Sequence, residues 1–105
     1  GPALLFCPAD RPDRYAKAAE RADAVILDLE DAVAPEDKAG AREALVATPL
    51  DPARTVVRVN AVGTPWFDDD VAALTRTAYR TVMLAKTSSA DDVAAVRRAG
   101  PWDVV

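Results

Sequence analysis

Two features of the sequence could do chemistry: Arg58, set in the apolar run Val56–Val59, and Asp28-Leu29-Glu30-Asp31, which follows the apolar run Val25–Leu27. Three carboxylates this close repel one another. They leave water only where a cation, Mg²⁺ or an arginine, neutralises them. The plainer role for the same acids is a solvated strand end that caps the next helix. In a regular strand Arg58 points away from the face that carries Val57 and Val59. A guanidinium buried there needs an anion, because an unpaired buried charge is strongly destabilising. That anion is a substrate carboxylate, held through two parallel hydrogen bonds, or Glu30 or Asp31 in a structural ion pair, and the two roles can coexist.

Weaker candidates surround these two. Arg11 and Lys17 suit a phosphate or a carboxylate, or are ordinary surface charge. Lys86 closes another apolar run and could form an imine only with a depressed pKa. Cys7 reads as a small apolar filler. Gly63, in Gly63-Thr64-Pro65-Trp66, is too little for a phosphate-binding loop.

Composition removes whole classes. The chain has 105 residues, no histidine and one cysteine. Ser-His-Asp and Cys-His catalysis, zinc fingers and an internal disulfide framework are therefore excluded. A net charge of −4 argues against nucleic acid as a partner. The apolar runs fall well short of the ~20 residues of a membrane span, so no membrane partner is expected. Gly1–Cys7 lacks the basic flank of a secretory signal. A reducing cytoplasm is the expected compartment.

The elements that must position these residues follow from the pattern. Short runs rich in Val, Ile and Leu begin at residues 3, 24, 55, 81 and 103. They suit strands buried on both faces. Helical segments are predicted between them over Asp13–Ala22, Pro35–Ala47, Pro65–Ala78 and Ala90–Ala99. The last has Ser89 as N-cap, Asp91 and Asp92 in its first turn, Arg97 and Arg98 in its last, and then Gly100 and Pro101. The sum is four β-α units and the start of a fifth strand. Two architectures fit: a five-stranded doubly wound sheet, or the N-terminal half of a (β/α)8 TIM barrel, which normally needs about 250 residues. The apolar end at Val104–Val105 favours the barrel, as a single partial domain over 1–105 that stops at the start of strand five. In either architecture ligands bind at the C-terminal ends of the strands. That rim carries Asp10, Arg11, Asp28, Glu30, Asp31, Arg58, Asn60 and Lys86.

The order Leu5-Phe6-Cys7-Pro8-Ala9-Asp10-Arg11-Pro12, Lys17-Ala18, Ile26-Leu27-Asp28-Leu29-Glu30-Asp31-Ala32-Val33, Lys38, Arg42, Val57-Arg58-Val59-Asn60 and Val82-Met83-Leu84-Ala85-Lys86 resembles the citrate lyase β-subunit-like proteins. That family stands with the malyl-CoA lyases in the HpcH/HpaI aldolase group. The resemblance implies a TIM barrel, of which this chain covers less than half, and a homo-oligomer such as a trimer or hexamer. It implies Mg²⁺-assisted cleavage or formation of a carbon–carbon bond in a citryl-, malyl- or related 3-hydroxyacyl-CoA or keto-acid substrate. By the same resemblance Phe6 lies along the substrate, Arg11 and Lys17 contact the acyl-CoA, and Arg58 holds the keto acid and the developing enolate. Glu30 and Asp31 line the metal site behind its direct ligands. Those ligands, a glutamate and an aspartate, belong to later strands and are expected beyond Val105. Ala85 stands where the family commonly has proline. Two other readings remain: a non-catalytic anion- or CoA-binding half-barrel, and a small Mg²⁺-binding receiver-like domain.

Overall fold

The computed structural model describes residues 3–85 and 88–105. Lys86, considered above as an imine-forming lysine, lies outside the described residues.

Five strands form one parallel sheet: β1 Leu4–Pro8, β2 Ala24–Asp28, β3 Thr55–Arg58, β4 Thr81–Met83 and β5 Asp103–Val104. Their order is β1-β2-β3-β4-β5, each pairing with the next. This order decides between the two architectures. A doubly wound sheet reverses direction and leaves its first strand inside. Here the winding never reverses, which is the geometry of a barrel wall and excludes the receiver-like alternative. The helices α1 Tyr15–Arg21, α2 Lys38–Ala47, α3 Phe67–Leu74 and α4 Ala90–Ala99 fill the crossovers.

Because side chains alternate along a strand, the sheet has two distinct faces. Cys7, Val25, Leu27, Val57, Val59, Val82 and Leu84 form one core with Tyr15, Ala41, Leu45, Leu74 and Val96 from the four helices. On the opposite face Leu4 is 57% and Phe6 53% exposed. Phe6 is thus on the face away from the helices, the side that a closed barrel turns inward.

Element boundaries follow local chemistry. α1 and α2 are each preceded by a 3-10 turn, Pro12–Arg14 and Pro35–Asp37, opened by a proline whose missing N–H costs nothing there. α3 stops at Leu74 rather than at Ala78, because the Thr75 and Thr77 hydroxyls bond the carbonyls of Ala72 and Leu74. α4 opens on a reciprocal cap in which Ser89 accepts from the Asp92 N–H and Asp92 accepts from the Ser89 N–H. Gly100 ends α4 with an extended backbone, φ 179°. What demands glycine is the Trp102 ring, which would lie 2.4 Å from an added Cβ.

Candidate functional site

Asp28 and Arg58 are register partners at the C-terminal ends of β2 and β3. Both lie on the open face, as alternation dictates. Arg58 Nε donates to Asp28 Oδ1 at 2.9 Å and Nη2 to Oδ2 at 2.7 Å. The same carboxylate accepts the backbone N–H of Glu30 at 2.8 Å and of Ala32 at 3.0 Å, which folds the chain back after β2. Asp28 is 1% exposed. Burial alone would raise its pKa, but the Arg58 guanidinium and the two N–H groups more than reverse this and hold it below its ordinary value.

Glu30 Oε1 lies 3.5 Å from Arg58 Nε. Its carboxyl is raised above its ordinary value, first by burial and then by the neighbouring Asp31 carboxylate. The Phe6 ring lies against the guanidinium, its centroid 4.9 Å from Cζ. One edge of the guanidinium is thus spent on Asp28. Among the described residues Nη1 makes no hydrogen bond or ion pair. The free edge matches a second carboxylate.

The structure therefore brings Phe6, Arg58, Glu30 and Asp31 together. Arg11 is engaged elsewhere: its Nε and Nη2 donate to Asp13 at 3.2 and 3.0 Å in an exposed pair. Lys17 lines a groove of about 380 Å³ with Leu5, Phe6, Cys7, Arg14 and Arg21, so Phe6 borders both regions. Asn60, placed on the ligand rim by the sequence, is instead buried toward the helices. Its Nδ2 donates to Asp70 Oδ2 at 2.7 Å and to the Leu29 carbonyl at 3.0 Å. No group of three or more His, Cys, Asp or Glu side chains that could hold a metal ion occurs among the described residues.

Sequence reasoning missed three participants. Asp28, not Glu30 or Asp31, is the main partner of Arg58. Its parity with Ile26, matched to that of Arg58 with Val56, was the available signal. Lys38 is buried behind the acidic turn and donates to the carbonyls of Leu29 and Glu30, each at 2.9 Å. Asp70, in the first turn of α3, is fully buried and accepts from Asn60 and from Arg42 Nε at 2.9 Å. Nothing local in the sequence marks either residue as internal.

Residues 3–100 match the model of the HpcH/HpaI aldolase/citrate lyase family, and the chain belongs to that family. It is 60% identical over its whole length to a citrate lyase subunit beta-like protein of Mycobacterium tuberculosis, of which it covers 37%. Over 88% of the chain it is 43% identical to the L-malyl-CoA/beta-methylmalyl-CoA lyase of Cereibacter sphaeroides, covering 31% of that protein. Its fold superposes on all of the chain, with a TM-score of 0.92 and 59% identity, onto the CitE protein of Mycobacterium tuberculosis in complex with magnesium, acetoacetate and coenzyme A. It covers 38% of that structure, and the five-stranded sheet is accordingly part of a TIM barrel. The chain thus spans about a third of the length of the relatives it matches. No helix among the described residues is long and apolar enough to cross a membrane.

Proposed function

We propose that these residues form the substrate-orienting part of a Mg²⁺-dependent carbon–carbon lyase that acts on a malyl-, citryl- or related 3-hydroxyacyl-CoA. In this reading 1–105 is one portion of a single barrel domain, and the remaining strands complete the site. The observation that carries the reading is the part-spent guanidinium of Arg58: its Nε–Nη2 edge is locked by Asp28, with Glu30 3.5 Å from Nε and the Phe6 ring against its face, while Nη1 makes no hydrogen bond or ion pair among the described residues.

The reaction breaks the bond between C2 and C3 of the thioester's acyl chain. The 3-hydroxyl loses its proton and becomes the carbonyl of the keto-acid or aldehyde product. The electron pair of the broken bond passes to the thioester fragment as an enolate, which then takes a proton at carbon to give the acyl-CoA. The open edge of Arg58 holds the carboxylate of the keto acid and faces the developing oxyanion, without reorganising at the moment of reaction. Asp28 fixes the plane of the guanidinium. Phe6 keeps water from one face of it. Arg11 and Lys17 hold the CoA moiety.

The donor set fits magnesium in part. Asp28 is saturated by four hydrogen bonds, but Glu30 and Asp31, which follow it in the same turn, keep acceptor capacity. They suit the waters that a hard Mg²⁺ ion retains. When bound, the ion supplies a second positive charge against which negative charge can build on oxygen.

The test is steady-state kinetics on the complete enzyme with Mg²⁺ and malyl-, citramalyl- and citryl-CoA. Cleavage to a keto acid or aldehyde and an equimolar acyl-CoA is expected for at least one. Arg58→Lys should lower kcat/KM by on the order of a hundredfold. Binding of CoA with no cleavage of any of the three would instead support the non-catalytic anion-binding reading.

A further inference from the structure

Lys38 is the first residue of α2 and is 5% exposed. Among the described residues it has no carboxylate partner. Its ammonium is met by the carbonyls of Leu29 and Glu30, each at 2.9 Å, and by the face of Trp66, 4.9 Å from the ring centroid. A lysine buried without a counter-ion is costly unless other polar groups meet its charge. Two carbonyl oxygens and an aromatic face meet this ammonium where a carboxylate would otherwise stand. A neutral side chain would suffice to fill the space.

The position of the ammonium shows what the charge does. The Glu30 backbone is held on both sides: its N–H by Asp28 Oδ1 at 2.8 Å, its carbonyl by Lys38. Each carbonyl that Lys38 binds also has another donor, Asn60 Nδ2 for Leu29 and the Val33 N–H for Glu30. Removing the ammonium therefore leaves no carbonyl orphaned, and the turn persists with a looser grip. Trp66 belongs to the segment that leads from β3 into α3, so the same ammonium ties that segment to the acidic turn.

We propose that Lys38 is a positioning residue. Its ammonium clamps the Leu29 and Glu30 carbonyls and so sets where the Glu30 carboxylate stands against Arg58. The catalytic consequence rests on the function proposed above; the clamp itself does not.

The test compares Lys38→Met, Lys38→Arg and Leu45→Ala in the complete Mg²⁺-loaded enzyme. Leu45→Ala truncates the core side of the same helix and serves as the control for general destabilisation. Lys38→Met should lower kcat by about 10- to 100-fold, the scale for losing a group that orients a catalytic one, with little change in KM. It should also speed hydrogen exchange at the Glu30 and Ala32 amides and leave the Val57 amide protected. Lys38→Arg, which keeps the charge, should recover part of both effects. Unchanged amide exchange in Lys38→Met would overturn the clamp, whatever the activity. A kcat loss that Leu45→Ala reproduces at the same drop in melting temperature would overturn the positioning role. If the wild-type enzyme cleaves none of the three thioesters, the functional reading falls while amide exchange still decides the clamp.

Discussion

Arg58 and Asp28 meet edge to edge across neighbouring parallel strands, at 2.9 and 2.7 Å, with the carboxylate 1% exposed. The pair is both structural and available. Asp28 spends all of its acceptor capacity inside the protein, whereas Arg58 spends two of its five donors. The ion pair that the sequence allowed beside a substrate contact is present, with Asp28 as the partner.

Replacing one partner leaves the other buried and alone. Asp28→Leu should destabilise the protein by about 3 kcal/mol or more, read from urea unfolding. Asp28→Leu with Arg58→Met should recover most of that loss, since an apolar pair of similar volume is tolerated where an unpaired charge is not. Turnover should stay abolished in the double variant. Restored activity together with restored stability would show that Arg58 acts only through packing.

The site also predicts opposing pH limbs. The folded-state pKa of Asp28 lies below its ordinary 3.8. Its contribution is fully present above that value and is lost as pH falls through the folded pKa. The pKa of Glu30 is raised above its ordinary 4.5. Its contribution is fully present below that value and is lost as pH rises through the folded pKa. Urea unfolding from about pH 3 to about pH 7 should show Glu30→Gln flattening the upper limb and Asp28→Asn the lower one. The reverse assignment would contradict the geometry around Arg58.

Much of this was legible in the sequence. The strands were visible because parallel strands buried on both faces leave unbroken Val, Ile and Leu runs. Ser89, Asp91 and Asp92 announced α4, because capping is local chemistry. Arg58 stood out because a cation among valines is expensive. Asp28 as its partner was hidden, because pairing across strands depends on register, and register is set by long-range packing. Lys38, Asn60 and Asp70 were hidden for a related reason. None reads as internal from its neighbours in sequence, and each is internal because α2 and α3 close over the ends of β2 and β3. Phe6 shares the parity of Leu4, which places it on the face away from the helices.

Arg11 separates binding from stability. Its ion pair with Asp13 is exposed, so losing it should hardly change the melting temperature. In the complete enzyme Arg11→Ala should raise KM for an acyl-CoA substrate and leave kcat near wild type, the signature of binding lost equally from ground and transition states. A matching fall in kcat would place Arg11 at the reacting centre instead.

The open face of the sheet makes a prediction about the 105-residue chain by itself. Leu4, Phe6 and Val105 are 57%, 53% and 64% exposed. β1 and β5 are the two end strands, and among the described residues neither has a neighbour on its outer side. Unpaired strand edges next to an apolar surface template association. The isolated chain should therefore sediment as a concentration-dependent mixture of species larger than 11.1 kDa and melt broadly. Phe6→Lys should shift it toward monomer by placing a charge on that surface beside Arg58. A sharp, cooperative melt of a clean monomer would show instead that the helix-side core, built around Leu27, Val57 and Val82, stabilises the sheet without cover on its other face.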